Sequence, residues 1–503
     1  MTRFYVENFG CRASQADGAA IELQLRDKGL TPVESPQQAE LVILNSCTVT
    51  DSADSSARAA IRRVHLSNPG CQIVVTGCYA QRVPGEVAAL PGVSRVIGNS
   101  HKHLLAQLAV PAQPGTFVPL ASLTSDDRVF VSDIFAHTDL LAAPVFAGQK
   151  HTRPILKVQD GCNNRCSFCV IPSVRGRSRS LRFDQVLQEV NSLVQYGYRE
   201  VVISGINLGS WGKDLVGQKA SGIPPRKKSP QAPKRGADCT NQDFPAVHGS
   251  AEPVALSPGK AALPEDSPYN AGANHFNLES LIGEILDRTP IEKLRISSVE
   301  PMDWSDGLIG LMARSPRIAK HAHVPLQSGS DRVLRLMHRK YRPWHYSEKI
   351  SKIRAAMPTA AIGADVMVGF PGESESDFAE TRSLIDQLPL TYLHVFIYSS
   401  RPGTRSERML DPVPPLVARE RGRILRQLGS EKKLAFMETF VGKTVDAITL
   451  NAFDGEYTEG LTDNYLKLRL RGKHEPNQTV IAEIGRVSNE TLWSGSFETR
   501  SSS

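Results

Sequence analysis

Three cysteines lie within one short run of the chain, Asp160-Gly161-Cys162-Asn163-Asn164-Arg165-Cys166-Ser167-Phe168-Cys169, directly after a β-branched stretch. A saturated cubane cluster takes four thiolates, one for each iron, so three thiolates leave one iron able to bind another molecule. A structural zinc site is the alternative, but such sites usually close with a second CX2C pair or a histidine, and the loop contains neither. The CX3CX2C spacing therefore favours a redox-active iron–sulfur cluster with an open position.

Length and composition indicate a multidomain protein. A chain of 503 residues is long enough for about two to four domains, each with its own core. The amino terminus lacks a basic stretch followed by an apolar core, and no apolar run approaches bilayer-spanning length, so we expect a cytoplasmic protein without a membrane partner. Eight cysteines in such a chain favour metal ligands or catalytic thiols over disulfides. The net charge of +7 permits a polyanionic partner without requiring one.

Residues 1–110 alternate short β-rich runs with helical segments, which predicts a doubly wound α/β domain. The β-rich runs are residues 4–6, 41–44, 73–75 and 93–97. Cys11, Cys47 and Cys78 each come just after one of these runs. The carboxyl ends of parallel strands meet at one edge of a sheet, so we expect the three cysteines to converge there. Packing of a buried thiol explains any single one of them, but three equivalent positions favour a shared site.

A connection at residues 111–152 leads to a second alternating series, residues 153–440. Its predicted strands are residues 155–159, 201–204, 293–297, 322–326, 364–368 and 394–398, with helical patterns such as 183–196 between them. Six β/α units predict a partial (β/α)6 barrel, with catalytic groups at the carboxyl ends of its strands. Between about residues 213 and 273 a stretch rich in Pro, Gly, Ser, Ala and Lys interrupts the pattern and predicts a disordered insertion.

Residues 441–503, after a helical stretch at 416–440, are β-rich again. Predicted strands at 444–450, 465–470 and 479–484 indicate a small antiparallel β-barrel. Barrels of this kind often bind RNA, so this part of the chain is a candidate for contact with nucleic acid.

Taken together, these motifs resemble the radical S-adenosylmethionine (SAM) methylthiotransferases. The resemblance is carried by the cysteine array and the residues 171–180 that follow it, by Asn45-Ser46-Cys47-Thr48-Val49-Thr50, and by Gly77-Cys78-Tyr79-Ala80-Gln81. It covers nearly the whole chain outside the insertion, and residues 441–503 are similar to the family's TRAM module. The sequence departs from the family at Ser14, where Asn is usual, and in the insertion.

The resemblance implies two [4Fe–4S] clusters and SAM as cofactors. It assigns an auxiliary cluster to Cys11, Cys47 and Cys78 and the SAM cluster to Cys162, Cys166 and Cys169. One open iron would bind SAM, and an electron from a cellular reductant would cleave it to a 5′-deoxyadenosyl radical. The other open iron would carry the sulfur atom that is inserted at a C–H bond. No catalytic role is assigned to residues beyond the cluster ligands.

Polar groups at later strand ends are expected to complete the SAM pocket, and Gly205, Glu300 and Gln327 are the candidates. Glycine allows close backbone approach, and Glu and Gln can bind the ribose or the amino acid part of SAM. A simple turn is the alternative for each. Arg175, Arg177 and Arg179 follow the cysteine array, and we expect them either to contact phosphate or to neutralise the charge of the cluster.

Three family substrates are compatible with the sequence: threonylcarbamoyl-adenosine in tRNA, isopentenyl-adenosine in tRNA, and an aspartate of a ribosomal protein. The segments at residues 45–54, 77–81, 204–207 and 297–301 are most similar to the first group, which implies methylthio transfer to C2 of the modified adenosine 37 beside the anticodon. An iron–sulfur scaffold or electron carrier is a non-enzyme alternative, but it needs no SAM pocket. A nonenzymatic RNA-binding protein would leave both cysteine triplets unexplained.

Overall fold

The computed structural model describes residues 2–110, 128–137, 152–215 and 276–499. Apart from residues 213–215, the predicted insertion at 213–273 lies outside the described residues, as does most of the predicted connection at 111–152. All described segments belong to one unit of the fold. No helix among them is long and apolar enough to cross a membrane.

A fully parallel sheet forms the amino-terminal part of the protein. Its strands are β1 (Arg3–Asn8), β2 (Thr31–Pro32), β3 (Leu41–Ser46), β4 (Gln72–Gly77), β5 (Val93–Gly98) and β6 (Val129–Phe130). Its helices are α1 (Arg12–Asp27), α2 (Asp51–Ser67), α3 (Cys78–Arg82), α4 (Pro84–Ala88) and α5 (Leu105–Ala109). The strands lie in the order β2-β1-β3-β4-β5-β6.

Apolar side chains cover both faces of this sheet. Along β3, Val42 and Leu44 pack in one core cluster, while Leu41 and Ile43 pack in another. Alternate residues of a strand point to opposite faces, so helices must cover both sides. The predicted doubly wound α/β domain is confirmed.

The central part of the chain contains an arc of six parallel strands. The six parallel strands are β7 (Ile155–Asp160), β9 (Glu200–Gly205), β10 (Lys293–Ile296), β11 (His321–His323), β12 (Ala361–Val368) and β13 (Tyr392–Ile397). A short seventh strand, β8 (Arg179–Ser180), pairs antiparallel with β7. The helices are α6 (Ile171–Arg175), α7 (Phe183–Gln195), α8 (Leu278–Arg288), α9 (Asp306–Arg314), α10 (Asp331–Leu336), α11 (Pro343–Ala356), α12 (Glu375–Gln387) and α13 (Pro415–Glu438).

Two hydrogen-bonded sheets make up the arc, in the orders β10-β9-β7-β8 and β11-β12-β13. A parallel bridge joins Leu294 of β10 to Ile318, which lies just before β11, and so connects the two sheets. The predicted partial barrel is confirmed. The fourth strand is shorter than expected, because Pro325 cannot donate to a strand partner and Gln327 has a left-handed φ of +65°.

Alternation along the central strands separates an apolar outer layer from a polar interior. Val201 and Leu294 pack outward in the large core beneath the helices. Their neighbours Glu200 and Arg295 are buried on the other face, where they bond each other. The interior face of the arc is therefore polar and is not a packed apolar core. We call this interior, which also contains His321, His323 and Asp365, the polar chamber.

A closed five-strand barrel ends the described chain. Its strands are β14 (Thr444–Phe453), β15 (Tyr457–Thr462), β16 (Lys467–Arg471), β17 (Thr479–Ser488) and β18 (Thr491–Thr499). The pairs are antiparallel except β16 with β18, which is parallel. The barrel is consistent with the predicted TRAM-like module.

Candidate functional site

Three cysteines meet at the carboxyl edge of the amino-terminal sheet. Cys11 precedes α1, Cys47 follows β3 directly, and Cys78 begins α3 directly after β4. The strands β1, β3 and β4 are neighbours. Gly10 has a φ of +96°, and a Cβ there would lie 2.7 Å from Sγ of Cys47, so only glycine lets the first loop approach the second. The structure brings these predicted residues together.

The chemistry of this first cysteine group fits a metal cluster. Burial, with neighbouring Cys78 and Cys11 adding to it, raises the pKa of the Cys47 thiol to about 11. Cys47 and Cys78 are buried and Cys11 is exposed, and thiols crowded in this way ionise when a metal cation compensates for their charges. A donor already faces one sulfur, since Asn99 Nδ2 lies 3.5 Å from Sγ of Cys78. Among the described residues the thiols are free and not in disulfides.

The second cysteine group lies in the loop between β7 and α6. The backbone N–H of Cys162 donates to the carbonyl of Gly176 at 3.1 Å, and that of Cys169 donates to Cys166 at 3.2 Å, so the loop folds back on itself. Burial raises the pKa of the Cys169 thiol to about 12, and the neighbouring Cys166 and Cys162 add to the effect. This group also needs a cation to hold three thiolates together.

Nitrogen donors from three parts of the central domain approach these sulfurs. The backbone N–H of Asn164 lies 3.4 Å from Sγ of Cys162, and Nδ2 of Asn207 lies 3.7 Å from the same atom. Arg339 donates from Nη1 to Sγ of Cys166 at 3.2 Å. Hydrogen bonds to cluster thiolates tune the reduction potential of the cluster, so these donors suit a redox site.

A cleft opens beside this second group, and it contains one of the three predicted SAM-pocket residues. Cys166, Asn207, Glu300 and Arg339 are among its lining residues. Arg339 bonds Glu300 through Nη2. Burial raises the pKa of the Glu300 carboxyl, although Arg339 opposes the shift. A partly exposed carboxylate next to the cysteines can bind an ammonium or hydroxyl group.

Gly205 and Gln327 have supporting positions. A Cβ at Gly205 would lie 2.9 Å from Oε1 of Gln159, an atom that accepts a hydrogen bond from the backbone of Asn207. Gln327 donates from its backbone to the carbonyl of Asp365 at 2.8 Å and so joins two strand ends. Neither Gly205 nor Gln327 is among the described residues that line the cleft.

Sequence reasoning missed Arg339. It contacts Cys166 from 173 residues away, in a segment with no motif around it. Asn207 lies in a segment recognised as a candidate strand end, but the sequence does not distinguish it from Gly205. The expectation that ligands bind at strand ends identifies the segment, but only the folded structure shows which of its side chains approaches the cysteines.

The two cysteine groups share a wall. Cys78 packs against Val170 and Val174, which follow the second group. Asn99, which donates to Cys78, also donates to the carbonyl of Val174 at 2.8 Å. The two sites are therefore neighbours across the contact between the amino-terminal sheet and the central arc.

A buried cluster of charges also spans this contact. Its members are Asp17, Lys102, Lys157, Asp160 and Arg175. Lys102 Nζ and Arg175 Nη2 each lie 3.0 Å from Oδ2 of Asp17, and Lys157 bonds both carboxylates. Burial alone would raise the pKa of the Asp17 carboxyl, but Lys102, Lys157 and Arg175 outweigh it and hold this pKa well below its usual range.

The basic residues after the cysteine array are expected either to contact phosphate or to neutralise the charge of the cluster, and the position of Arg175 bears on this choice. It is buried, and it donates to Asp160 at 3.0 Å and to Ser14 at 3.2 Å. Ser14 Oγ in turn lies 3.7 Å from Sγ of Cys11. A phosphate contact is therefore wrong for Arg175, whereas Arg177 is exposed.

The polar chamber inside the arc continues this pattern of charged and hydrogen-bonding groups. His323 Nε2 lies 3.0 Å from Oδ1 of Asp365, and His394 Nδ1 lies 3.3 Å from the same oxygen. Burial would raise the pKa of Asp365, but these two imidazoles hold it well below its usual range. A substrate entering the arc meets polar groups and not an apolar pocket.

Comparisons with known proteins agree with this geometry. Residues 3–98 match the family described as "Uncharacterized protein family UPF0004", and residues 156–209 and 270–385 match the Radical SAM superfamily. A structure of the radical SAM methyltransferase TsrM from Kitasatospora setae aligns with a TM-score of 0.52 at 12% identity, over 81% of this chain and 77% of that one. That likeness is one of fold alone.

Full-length relatives are more specific. The threonylcarbamoyladenosine tRNA methylthiotransferase MtaB of Aquifex aeolicus is 31% identical over 94% of this chain and 98% of its own, and that of Bacillus subtilis is 30% identical over 95% and 91%. The tRNA-2-methylthio-N(6)-dimethylallyladenosine synthase of Nocardia farcinica is 32% identical over 89% and 78%. The chain therefore belongs to the family of radical SAM methylthiotransferases.

Proposed function

We propose that this enzyme is a tRNA threonylcarbamoyladenosine methylthiotransferase that acts at C2 of adenosine 37, beside the anticodon. The observation that carries the proposal is the pair of adjacent three-cysteine sites, one in each domain, joined by Cys78, Val170 and Val174. Two neighbouring sites with open coordination suit a reaction in which one activates SAM and the other delivers sulfur.

A radical SAM enzyme uses one [4Fe–4S] cluster and SAM, and we assign these to Cys162, Cys166 and Cys169. We assign a second [4Fe–4S] cluster to Cys11, Cys47 and Cys78. When bound, these groups supply the radical and the sulfur atom. The protein holds and shields them: Arg339 and Asn207 donate to cysteine sulfurs, and Glu300 offers a carboxylate to SAM.

We also assign a separate role to each of three parts of the chain. Residues 1–110 carry the auxiliary site, residues 153–440 carry the SAM site, and residues 441–503 form a module for contact with tRNA. A cellular one-electron donor completes the cycle, because reductive cleavage of SAM consumes one electron.

The polar chamber supports threonylcarbamoyl-adenosine as the substrate. The threonylcarbamoyl group carries a carboxylate, a hydroxyl and a urea linkage with one carbonyl, all of which need hydrogen-bonding partners. His323, Asp365 and His394 provide such partners inside the arc. An isopentenyl group would place apolar surface against these polar atoms, and it has no polar atoms with which to form hydrogen bonds to them.

Dimethylallyl-adenosine in tRNA is the second candidate, because the Nocardia farcinica relative that is 32% identical carries that activity in its name. Mass spectrometry of tRNA nucleosides from cells with and without this gene separates the two. We expect loss of 2-methylthio-threonylcarbamoyl-adenosine and its restoration by the wild-type gene. Loss of the dimethylallyl product instead would contradict the substrate assignment.

Variants of each cysteine group test the division of labour. Cys166→Ala should abolish formation of 5′-deoxyadenosine from SAM, whereas Cys47→Ala should retain it and lose only the methylthio product. Cys71→Ala is the matched control, because Cys71 is a free thiol outside both groups. If purified, reconstituted enzyme forms no 5′-deoxyadenosine with SAM and a reductant, an iron–sulfur scaffold or electron carrier becomes the better description.

A further inference from the structure

A tyrosine of the terminal barrel reaches into the polar chamber. Tyr465 stands in the loop between β15 and β16 with a left-handed φ of +68°. Its ring lies 4.8 Å, centroid to centroid, from the ring of His321 at the start of β11. The terminal barrel therefore supplies one wall of the chamber, at the amino-terminal ends of the strands.

Three arginines surround this tyrosine. The guanidinium carbons of Arg295, Arg12 and Arg153 lie 5.2, 5.6 and 5.7 Å from the ring centroid, within the range of cation–π contact. Arg12 also donates from Nη2 to the hydroxyl of Tyr465 at 3.0 Å. The arginines come from β10, from the start of α1 and from just before β7, so only the folded chain brings them together.

Carboxylates neutralise only part of this charge. Glu200 bonds Arg295 through both oxygens, at 2.8 and 3.4 Å, and lies 3.8 Å from Arg153. Within the described part of the chain, no carboxylate pairs with Arg12, which bonds Tyr465 instead. Three guanidinium groups and one carboxylate leave an excess of two positive charges beside the ring.

The polar groups next to the arginines also favour an anionic ligand. Asp463 is another carboxylate whose charge acts on Arg295, but it pairs with Lys293 at 3.0 Å, so that lysine offsets its charge. His321 is buried, and its Nδ1 has no hydrogen-bond partner among the described residues. A buried nitrogen without a partner beside surplus positive charge indicates a place for a polar, anionic group.

Hydrogen-bonding side chains connect this place with the exposed end of the arc. The hydroxyl of Tyr392 lies 2.7 Å from Nε2 of His321 and 2.9 Å from Nδ1 of His323. His323 contacts Asp365, which contacts His394, and the side chain of His394 is 55% exposed. Polar side chains in contact with one another therefore run from His394 to Tyr465 and Arg12 with no apolar layer between them.

We infer that Arg12, Arg153 and Arg295 form the binding site for the carboxylate of the threonylcarbamoyl group, with Arg12 in direct contact. The inference rests on the proposed function. Guanidinium groups bind carboxylates through paired N–H donors, and Arg12 has donors that no described carboxylate uses. Arg12 follows Cys11 directly, so a substituent held here keeps the base beside the proposed auxiliary cluster.

The test uses the reconstituted full chain and two RNAs. One is an anticodon stem-loop that carries threonylcarbamoyl-adenosine, and the other is the same RNA with its carboxylate converted to a neutral carboxamide. Arg12→Met should raise KM for the acid RNA at least about tenfold, the loss expected for a charged hydrogen bond, and leave KM for the carboxamide RNA nearly unchanged. Arg423→Met is the control, because Arg423 is exposed and its carboxylate partner among the described residues is the exposed Glu420.

An equal rise in KM for both RNAs would overturn the inference. If that rise came with a weaker salt dependence than in the wild type, Arg12 would instead bind a backbone phosphate. Iron content must match the wild type, since Arg12 adjoins Cys11. Should Arg12→Met lose iron, Tyr465→Phe takes its place, because it removes the hydroxyl to which Arg12 donates. Relative to the wild type, it should also raise KM for the acid RNA more than KM for the carboxamide RNA, and an equal rise for both RNAs would again contradict the inference.

Failure of the proposed function is visible in the wild-type enzyme alone. Activity on an RNA with dimethylallyl-adenosine and none on the acid RNA would contradict the proposed function. Equal wild-type KM values for the acid and carboxamide RNAs would contradict only the role of Arg12.

Discussion

Arg175 and Asp17 form a buried ion pair, with Nη2 3.0 Å from Oδ2 and side chains only 1% and 2% exposed. Asp17 lies on α1, which begins next to Cys11, and Arg175 ends α6, which begins after Cys169. The pair therefore connects the supports of the two cysteine groups. Desolvation of a buried pair offsets most of its attraction, so its value lies in holding one geometry.

Arg175→Met should destabilise the protein, because it leaves two buried carboxylates without their guanidinium partner. We expect a loss of about 3–5 kcal/mol in the free energy of unfolding, measured by anaerobic denaturant titration. Arg177→Met, two residues along and exposed, should change it by less than about 0.5 kcal/mol. Similar losses in both variants would show that the buried pair has no special role.

Gly10→Ala should disrupt the amino-terminal cysteine group. Its φ of +96° disfavours any side chain, and a Cβ would overlap Cys47. Gly29→Ala is the matched control, because Gly29 has a φ of +79° but a Cβ added there would meet no atom within 4 Å. Both should lose about 1–2 kcal/mol to backbone strain, but only Gly10→Ala should lose iron, by about half. Full iron content in Gly10→Ala would contradict the close approach of the two loops.

Glu300→Gln should weaken SAM binding while the cluster is retained. The change keeps the shape of the side chain but removes the charge that Arg339 and a SAM ammonium group would share. We expect Kd for SAM to rise roughly tenfold, measured by anaerobic equilibrium dialysis. Asp303→Asn is the control, because Asp303 lines the same cleft but pairs with Lys213 at 2.9 Å. An unchanged Kd in Glu300→Gln would remove this residue from the pocket.

His321 should make stability depend on pH. Burial, followed by the charge of Arg295, holds the pKa of His321 well below its ordinary value. Below about pH 6.5 the unfolded chain binds a proton that the folded protein does not, so stability falls as pH falls. Between pH 7.5 and 5.5 this group should account for a loss of about 1.4 kcal/mol in the free energy of unfolding.

His321→Gln should remove that loss, whereas His103→Gln, at an exposed residue, should retain it. Unfolding curves at the two pH values provide the measurement. The same pH dependence in His321→Gln and the wild type would show that His321 titrates normally.

Local sequence was enough to predict the elements that carry the site. Short β-rich runs between helical segments located the strands, and cysteines directly after β3 and β4 had to meet at one edge because parallel strands end together. The array from Cys162 to Cys169 closes on itself within one loop. Glu300, predicted from a strand end, lines the cleft beside Cys166, and its role in SAM binding stays a prediction.

Other contacts could not be found from the sequence, because they join residues that are distant along the chain. Arg339 reaches Cys166 across 173 residues, and Arg12 reaches Tyr465 across 453. Basic residues are common on surfaces, so no local pattern separates Arg175, which is buried, from Arg177, which is exposed.

The sequence by itself therefore determined the family, the order of the α/β, barrel and terminal modules, and the six cysteines predicted as ligands, since all of these follow from local motifs and from positions just after predicted strands. Only the tertiary structure decided which charges face the cysteines and which line the chamber. Those partners are selected by the packing of domains against one another, and burial gives their charges an energetic weight that they lack on an exposed chain.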